Sequence, residues 1–212
     1  MPTASGCGLA EHAVGDAASP RRLAVLVSGR GSNLQAILDA IADGRLEAEI
    51  AGVFSDKPAC TALTRVPASL RWSRDAKSFP DRAAFDAELA DAVAAVQPDW
   101  VVCAGYMRIL GDGFVRRFAD RLVNIHPSLL PKYRGLHTHR RALEAGDAQH
   151  GASVHWVTPE LDAGDVIAQT CIAIRPGDTP ETLATRLLPA EHVLLVQTLA
   201  GLVEGRIPPP RA

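Results

Sequence analysis

No stretch of this 212-residue chain approaches the roughly 20 uninterrupted apolar residues that span a bilayer. The first twenty residues, MPTASGCGLAEHAVGDAASP, lack a basic start and an apolar segment. They read as a mobile tail and not as a secretory signal. An excess of charge of one sign is also missing. Lys+Arg 22 against Asp+Glu 24 leaves −2, so nothing draws the whole chain to nucleic acid or to an anionic membrane. Cysteine is sparse: Cys7, Cys60, Cys103 and Cys171 form no CxxC pair, which argues for free thiols in a reducing cytoplasm and against a disulfide scaffold. HExxH, a Cys/His quartet and the GxSxG elbow are all absent. His137-Thr138-His139 alone is a weak metal spacing, so no metal is expected.

What is present is ordinary for a globular protein: 47% hydrophobic and 22% charged residues in a chain long enough to bury a sizeable core. Short apolar runs alternate with helical spacing. Strands are expected at 23–27, 50–54, 100–104 and 122–126, with a weaker one at 70–73. Helices are expected at 33–42, 82–96 and 113–119. This β-α-β-α order predicts an α/β fold, a mostly parallel twisted sheet with helices on both faces. Runs at 153–157 and 166–174 read as a C-terminal antiparallel hairpin. A long final helix begins near Thr179-Pro180-Glu181 and reaches about Gly205, with a kink or break expected at Pro189.

Two segments carry chemistry. Ser28-Gly29-Arg30-Gly31-Ser32-Asn33-Leu34 joins the first strand to the first helix. Its glycines permit a sharp turn, and the helix start offers free N–H groups to an anion. Leu34 stands where a dinucleotide fingerprint needs its third glycine, and the GK[ST] ending of a Walker loop is absent. A monophosphate therefore fits better than a dinucleotide, although Asp56 after the second strand keeps a ribose contact open. Read blandly, the turn is only a helix start capped by Ser32 or Asn33.

The second segment is Asn124-Ile125-His126-Pro127-Ser128-Leu129-Leu130-Pro131. Strand alternation puts Asn124 and His126 on one face, at the strand end where α/β sheets bind ligands. An amide and a protonated imidazole there can stabilise a developing oxyanion. A carboxylate from Glu160-Leu161-Asp162-Ala163-Gly164-Asp165 would hold the charge on His126; Asp162 is the candidate, with Glu160 and Asp165 open.

Together, SGRGSNLQAI, AGYMRIL, NIHPSLLPKYRGLHTHRRALEAGD, HGASVHWVTPELDAGDVIAQ and the EH at 191–192 resemble the phosphoribosylglycinamide formyltransferases of the folate-dependent formyltransferase family, from about Leu23 to Ile207. The resemblance implies a Rossmann-like domain over 21–207, with tails over 1–20 and 208–212. It implies 10-formyltetrahydrofolate as donor, 5-phosphoribosylglycinamide as acceptor, and a place in purine synthesis in the cytoplasm. No metal, nucleic acid or membrane is implied, and the protein would be a monomer or homodimer. Asn124, His126 and Asp162 match the family's catalytic trio. Gly31, Ser32, Asn33 and Glu191 match acceptor-binding positions. Arg82, Met107, Arg108, Ile109, Leu110, Asn124, Thr158, Pro159, Glu160, Leu161 and Asp162 match the folate-binding set. On elementary grounds, Arg82 could instead pair with Asp86 at i, i+4.

The sequence departs from the family at Asp56 (usually Asn), across 58–73, and at Leu188-Pro189-Ala190. Methionyl-tRNA formyltransferase, formyltetrahydrofolate hydrolase and sugar-nucleotide formyltransferases share parts of the pattern. The first carries an extra C-terminal domain and the second an extra N-terminal one, for which few residues remain here. A non-catalytic nucleotide- or folate-binding module, or a dinucleotide-dependent oxidoreductase, stands as the reading from another class.

Overall fold

The structure is a computed structural model that describes residues 19–210. Of the expected tails, 1–18 and 211–212 lie outside the described residues, as does Cys7.

Leu23–Val27 is the centre of the molecule: all five side chains are fully buried. They belong to strand β1 (Arg21–Val27). Alternation divides them between two cores. Leu23, Val25 and Val27 face α1 (Ser32–Ala42) and α5 (Pro180–Val203), through Leu34, Ile37, Leu187 and Leu195. Ala24 and Leu26 face α2 (Arg82–Ala95) and α3 (Asp112–Arg117), through Phe85, Leu89, Val93 and Phe114. A strand buried on both faces has to be an apolar run with no polar alternation, and this one is.

β2 (Ala48–Ser55), β3 (Arg71–Ser73), β4 (Trp100–Cys103), β5 (Leu122–His126), β6 (Gln149–Trp156) and β7 (Val166–Ala173) complete a seven-stranded sheet in the order β3-β2-β1-β4-β5-β6-β7. Pairing is parallel from β3 through β5 and antiparallel for β5-β6 and β6-β7. The chain builds outward from β1 to β3, then returns to lay β4 on the other side of β1. That reversal opens a crevice at the carboxyl ends of β1 and β4, the place where open α/β sheets take ligands. The glycine turn follows β1, the 104–110 segment follows β4, and Asn124–His126 ends β5, so all three line one edge.

The helix starts differ in their chemistry. Asp81 caps α2 by accepting from the Ala84 N–H at 2.8 Å. Thr179 and Thr182 form a capping box at the head of α5, with Pro180 in its first turn. α1 has neither: Gly31 occupies the N-cap in a left-handed conformation (φ 73°), and neither Ser32 nor Asn33 caps it. Pro189 does not break α5, which runs continuously past it. Pro189 and Thr185, whose carbonyl loses its partner, are both exposed, so water can satisfy that oxygen. α5 is long and apolar enough to cross a membrane by composition alone, but ten of its residues lie buried in the fold. α4 (Thr138–Glu144) and a 3₁₀ turn at Thr61–Arg65 had no clear signal in the sequence.

Candidate active site

β5 and β6 pair so that Asn124 lies opposite His155 and His126 opposite Ser153. The register explains a contact that spacing along the chain cannot show: Asn124 Nδ2 lies 3.1 Å from His155 Nε2. His155 Nδ1 faces the Trp156 carbonyl at 2.8 Å, an oxygen that only accepts. The proton therefore sits on Nδ1, and Nε2 accepts from the Asn124 amide. Burial holds the His155 imidazole below its usual range, toward the neutral ring this arrangement needs. His155 thus fixes which way Asn124 points and leaves the amide's second N–H free. Strand pairing was the missing signal for this residue.

His126 is buried, with Nδ1 3.4 Å from Asp162 Oδ2 and Nε2 3.0 Å from the Tyr133 carbonyl. Both neighbours are acceptors, so an imidazolium satisfies both at once. Asp162 also accepts the Gly135 N–H at 2.8 Å, and its other oxygen lies 3.6 Å from His155 Nε2. Of the three open carboxylates, geometry brings only Asp162 to His126. Glu160 pairs with Arg134 at 3.0 Å, and Asp165 is exposed. The turn that delivers Asp162 is tight: a Cβ on Gly164 would lie 1.9 Å from the Trp156 carbonyl oxygen.

At the edge that carries the glycine turn, Glu191 of α5 and Asn33 of α1 are both buried and face one another. Burial pushes the Glu191 carboxyl up to about 7, with the Asn33 amide pulling the other way. Asn33 Oδ1 is buried without a protein partner. Asp56 is buried too, but the Ser28 hydroxyl donates to it at 2.6 Å. Its carboxylate is therefore engaged inside the fold, which removes the dinucleotide reading's ribose contact.

On the opposite rim, Met107, Ile109, Leu136 and Leu161 are the exposed large apolar side chains around the trio. Leu110 is buried in the α2–α3 core. The Arg108 guanidinium stacks over Phe85 at 5.0 Å. Arg82 does reach Asp86, at 3.4 Å, while Asp86 also holds the Gly111 N–H at 2.8 Å. Thr158, Pro159 and Glu160 form an exposed lip over the site. Among the described residues no group of three or more His, Cys, Asp or Glu is arranged to hold a metal ion.

An open α/β sheet brings an amide, an imidazole and a carboxylate together at its carboxyl edge, the arrangement of an enzyme site that can stabilise an oxyanion and move a proton. The comparisons agree. The formyl transferase family matches residues 21–199. The phosphoribosylglycinamide formyltransferase of Escherichia coli (strain K12) is 44% identical over 187 residues, 87% of this chain and 88% of that one. Glycinamide ribonucleotide transformylase 1 from Symbiobacterium toebii superposes with a TM-score of 0.87 at 38% identity, over 93% of this chain and 94% of that one. The Coxiella burnetii phosphoribosylglycinamide formyltransferase gives 0.84 at 43% identity, over 91% of each. The chain belongs to the formyl transferase family, in its phosphoribosylglycinamide formyltransferase branch.

Proposed function

We propose that the protein transfers the formyl group of 10-formyltetrahydrofolate to the amine of 5-phosphoribosylglycinamide. The observation that carries this reading is the convergence of Asn124, His126 and Asp162 at the same sheet edge as an uncapped, left-handed glycine turn, with β4 between them. The names of its relatives supply the acceptor. The acceptor's phosphate would lie on Gly31, Ser32 and Asn33, and Glu191 would hold its amine or ribose end. The folate would lie against Met107, Arg108, Ile109 and Leu110 and under the 158–162 lip, with Arg82 at its far end.

The acceptor amine attacks the formyl carbon, and negative charge develops on the formyl oxygen. The free N–H of Asn124 and the Nε2–H of His126, released from the Tyr133 carbonyl, donate to that oxygen. Asp162 orients His126 through Nδ1 and accepts the amine's proton, through water. The formyl bond to the folate nitrogen breaks, and that nitrogen takes up a proton, so tetrahydrofolate and the formamide leave in balance. No covalent enzyme intermediate is required.

A formyl-transfer assay tests this. With 10-formyltetrahydrofolate, tetrahydrofolate should form only when 5-phosphoribosylglycinamide is present, without stoichiometric formate. Formate released regardless of acceptor would make the protein a hydrolase. Binding of both ligands without turnover, unchanged in His126→Ala, would make it a binding module.

A further inference from the structure

The glycine turn does not hold its own shape. Two of its carbonyls point into the 3₁₀ turn at Thr61–Arg65. The Gly29 oxygen accepts from the Ala62 N–H at 3.0 Å and from the Cys60 thiol at 3.2 Å. The Arg30 oxygen accepts from Arg65 Nε at 2.9 Å. The same guanidinium donates from Nη1 to Gln35 Oε1 at 2.7 Å, and Gln35 donates to Asp39 at 2.8 Å one turn further along α1. The two segments are packed hard together. A Cβ on Gly31 would lie 2.5 Å from the Ala62 Cβ and 3.3 Å from Arg65 Nε.

A peptide unit is planar, with its C=O and N–H pointing opposite ways. Pinning the Arg30 carbonyl inward therefore aims the Gly31 N–H outward, away from the 61–65 turn. Holding the Gly29 carbonyl does the same for the Arg30 N–H. The second anchor on Gln35 ties this orientation to the first turn of α1, whose leading amides have no intrahelical partners.

We propose that Arg65 is a positioning residue for the acceptor's phosphate. Its two-pronged grip on Arg30 and Gln35 orients the amides of the 29–33 turn toward a phosphate monoester. The inference rests on the functional reading above and extends it to a residue from the segment where the chain departs most from its family pattern. The fork is what matters, since lysine would keep the charge but cannot hold two acceptors in one plane.

The test separates this inference from the reaction. Ribose 5-phosphate binding is measured by calorimetry on the full chain, beside formyl transfer. Arg65→Lys and Arg65→Gln should each weaken ribose 5-phosphate about tenfold, the low end for a charge-assisted contact on an exposed side chain. They should raise the KM for 5-phosphoribosylglycinamide alike and leave kcat and the donor KM within about twofold. Arg45→Gln, which removes an equal charge from an exposed arginine past the end of α1 that pairs with Asp43, should cost less than threefold. Wild-type affinity in Arg65→Gln overturns the proposal, even if its melting temperature falls. Wild-type affinity in Arg65→Lys alone reduces Arg65 to a point charge and overturns it too. Absence of ribose 5-phosphate binding by the wild type overturns it outright. Binding without formyl transfer leaves the positioning role standing and sinks the reaction instead.

Discussion

Asp162 holds a left-handed backbone (φ 47°), and so do Tyr133 (φ 58°) and His137 (φ 59°) on the facing segment. Non-glycine residues in this region are uncommon, and they persist where surrounding contacts fix them. Here the contacts are those of the site: Tyr133 presents its carbonyl to His126, and Asp162 its carboxylate. Asp162→Asn keeps an acceptor for the Gly135 N–H but loses the charge facing His126. It should lower kcat about a hundredfold, while Asp165→Asn, at an exposed position, stays within about twofold; steady-state rates under saturating substrates decide it. Comparable losses would undo the assignment.

Glu191 makes a second prediction at this scale. Its folded value of about 7 lies above the ordinary 4.5, so the native state binds the extra proton. Its contribution to stability is fully present below pH 4.5 and is lost as pH rises through 7, with an upper bound of about 3 kcal/mol. His150, driven down to about 4 by burial, works in the opposite sense: it favours the fold above pH 6.5 and loses that contribution as pH falls toward 4. The comparison with Glu191→Gln isolates the glutamate. From pH 5 to 8 the wild type's melting temperature should fall relative to the variant's, and parallel curves would show that the carboxyl does not titrate there.

Among the elements, α5 shows what context does to a local rule. Proline in a helix interior removes one donor and crowds the preceding turn. Here the damaged turn faces solvent, while Leu183, Leu187, Leu194 and Leu195 hold the helix on the sheet. Pro189→Ala should restore the missing bond and stabilise the fold by about 1 kcal/mol or more, raising the melting temperature by a few degrees by calorimetry. Formyl transfer should not change. A lower melting temperature would mean that the proline's shape is used in packing.

At the scale of the whole molecule, the two halves of the crevice are joined through one hydroxyl. Ser28, buried at the end of β1, donates to Asp56 at 2.6 Å and accepts the Met107 N–H at 2.9 Å. Its own N–H reaches the Gly105 carbonyl at 3.1 Å. The glycine turn and the 104–110 segment are thus fixed relative to each other. Ser28→Ala should raise the KM for both substrates several-fold and cost about 1–3 kcal/mol, since Asp56 is left buried without that partner. Asp56→Asn keeps an oxygen for the Ser28 hydroxyl and should stay near wild type in both constants. An Asp56→Asn as damaging as Ser28→Ala would show that the charge matters and not the bond.

The amino-acid sequence by itself determined the elements whose cause is local. The apolar run Leu23–Val27 of β1, the Asp81 and Thr179 helix starts, and the periodicity of α1 and α2 are properties of short stretches, and the structure repeats them within a residue or two. Residues 60–65 carry no periodic pattern because their conformation answers to the glycine turn packed against them. α4 is a seven-residue helix, too short for a clear period. Tertiary structure supplies the reason that Asp162, already the sequence's candidate, reaches His126 while Glu160 and Asp165 do not: a loop's reach depends on where two antiparallel strands place its ends. It alone paired His155 with Asn124 and turned Asp56 inward to Ser28, since register and burial join residues about 30 positions apart. Local propensity sets most of the elements; only the assembled sheet decides which side chains meet.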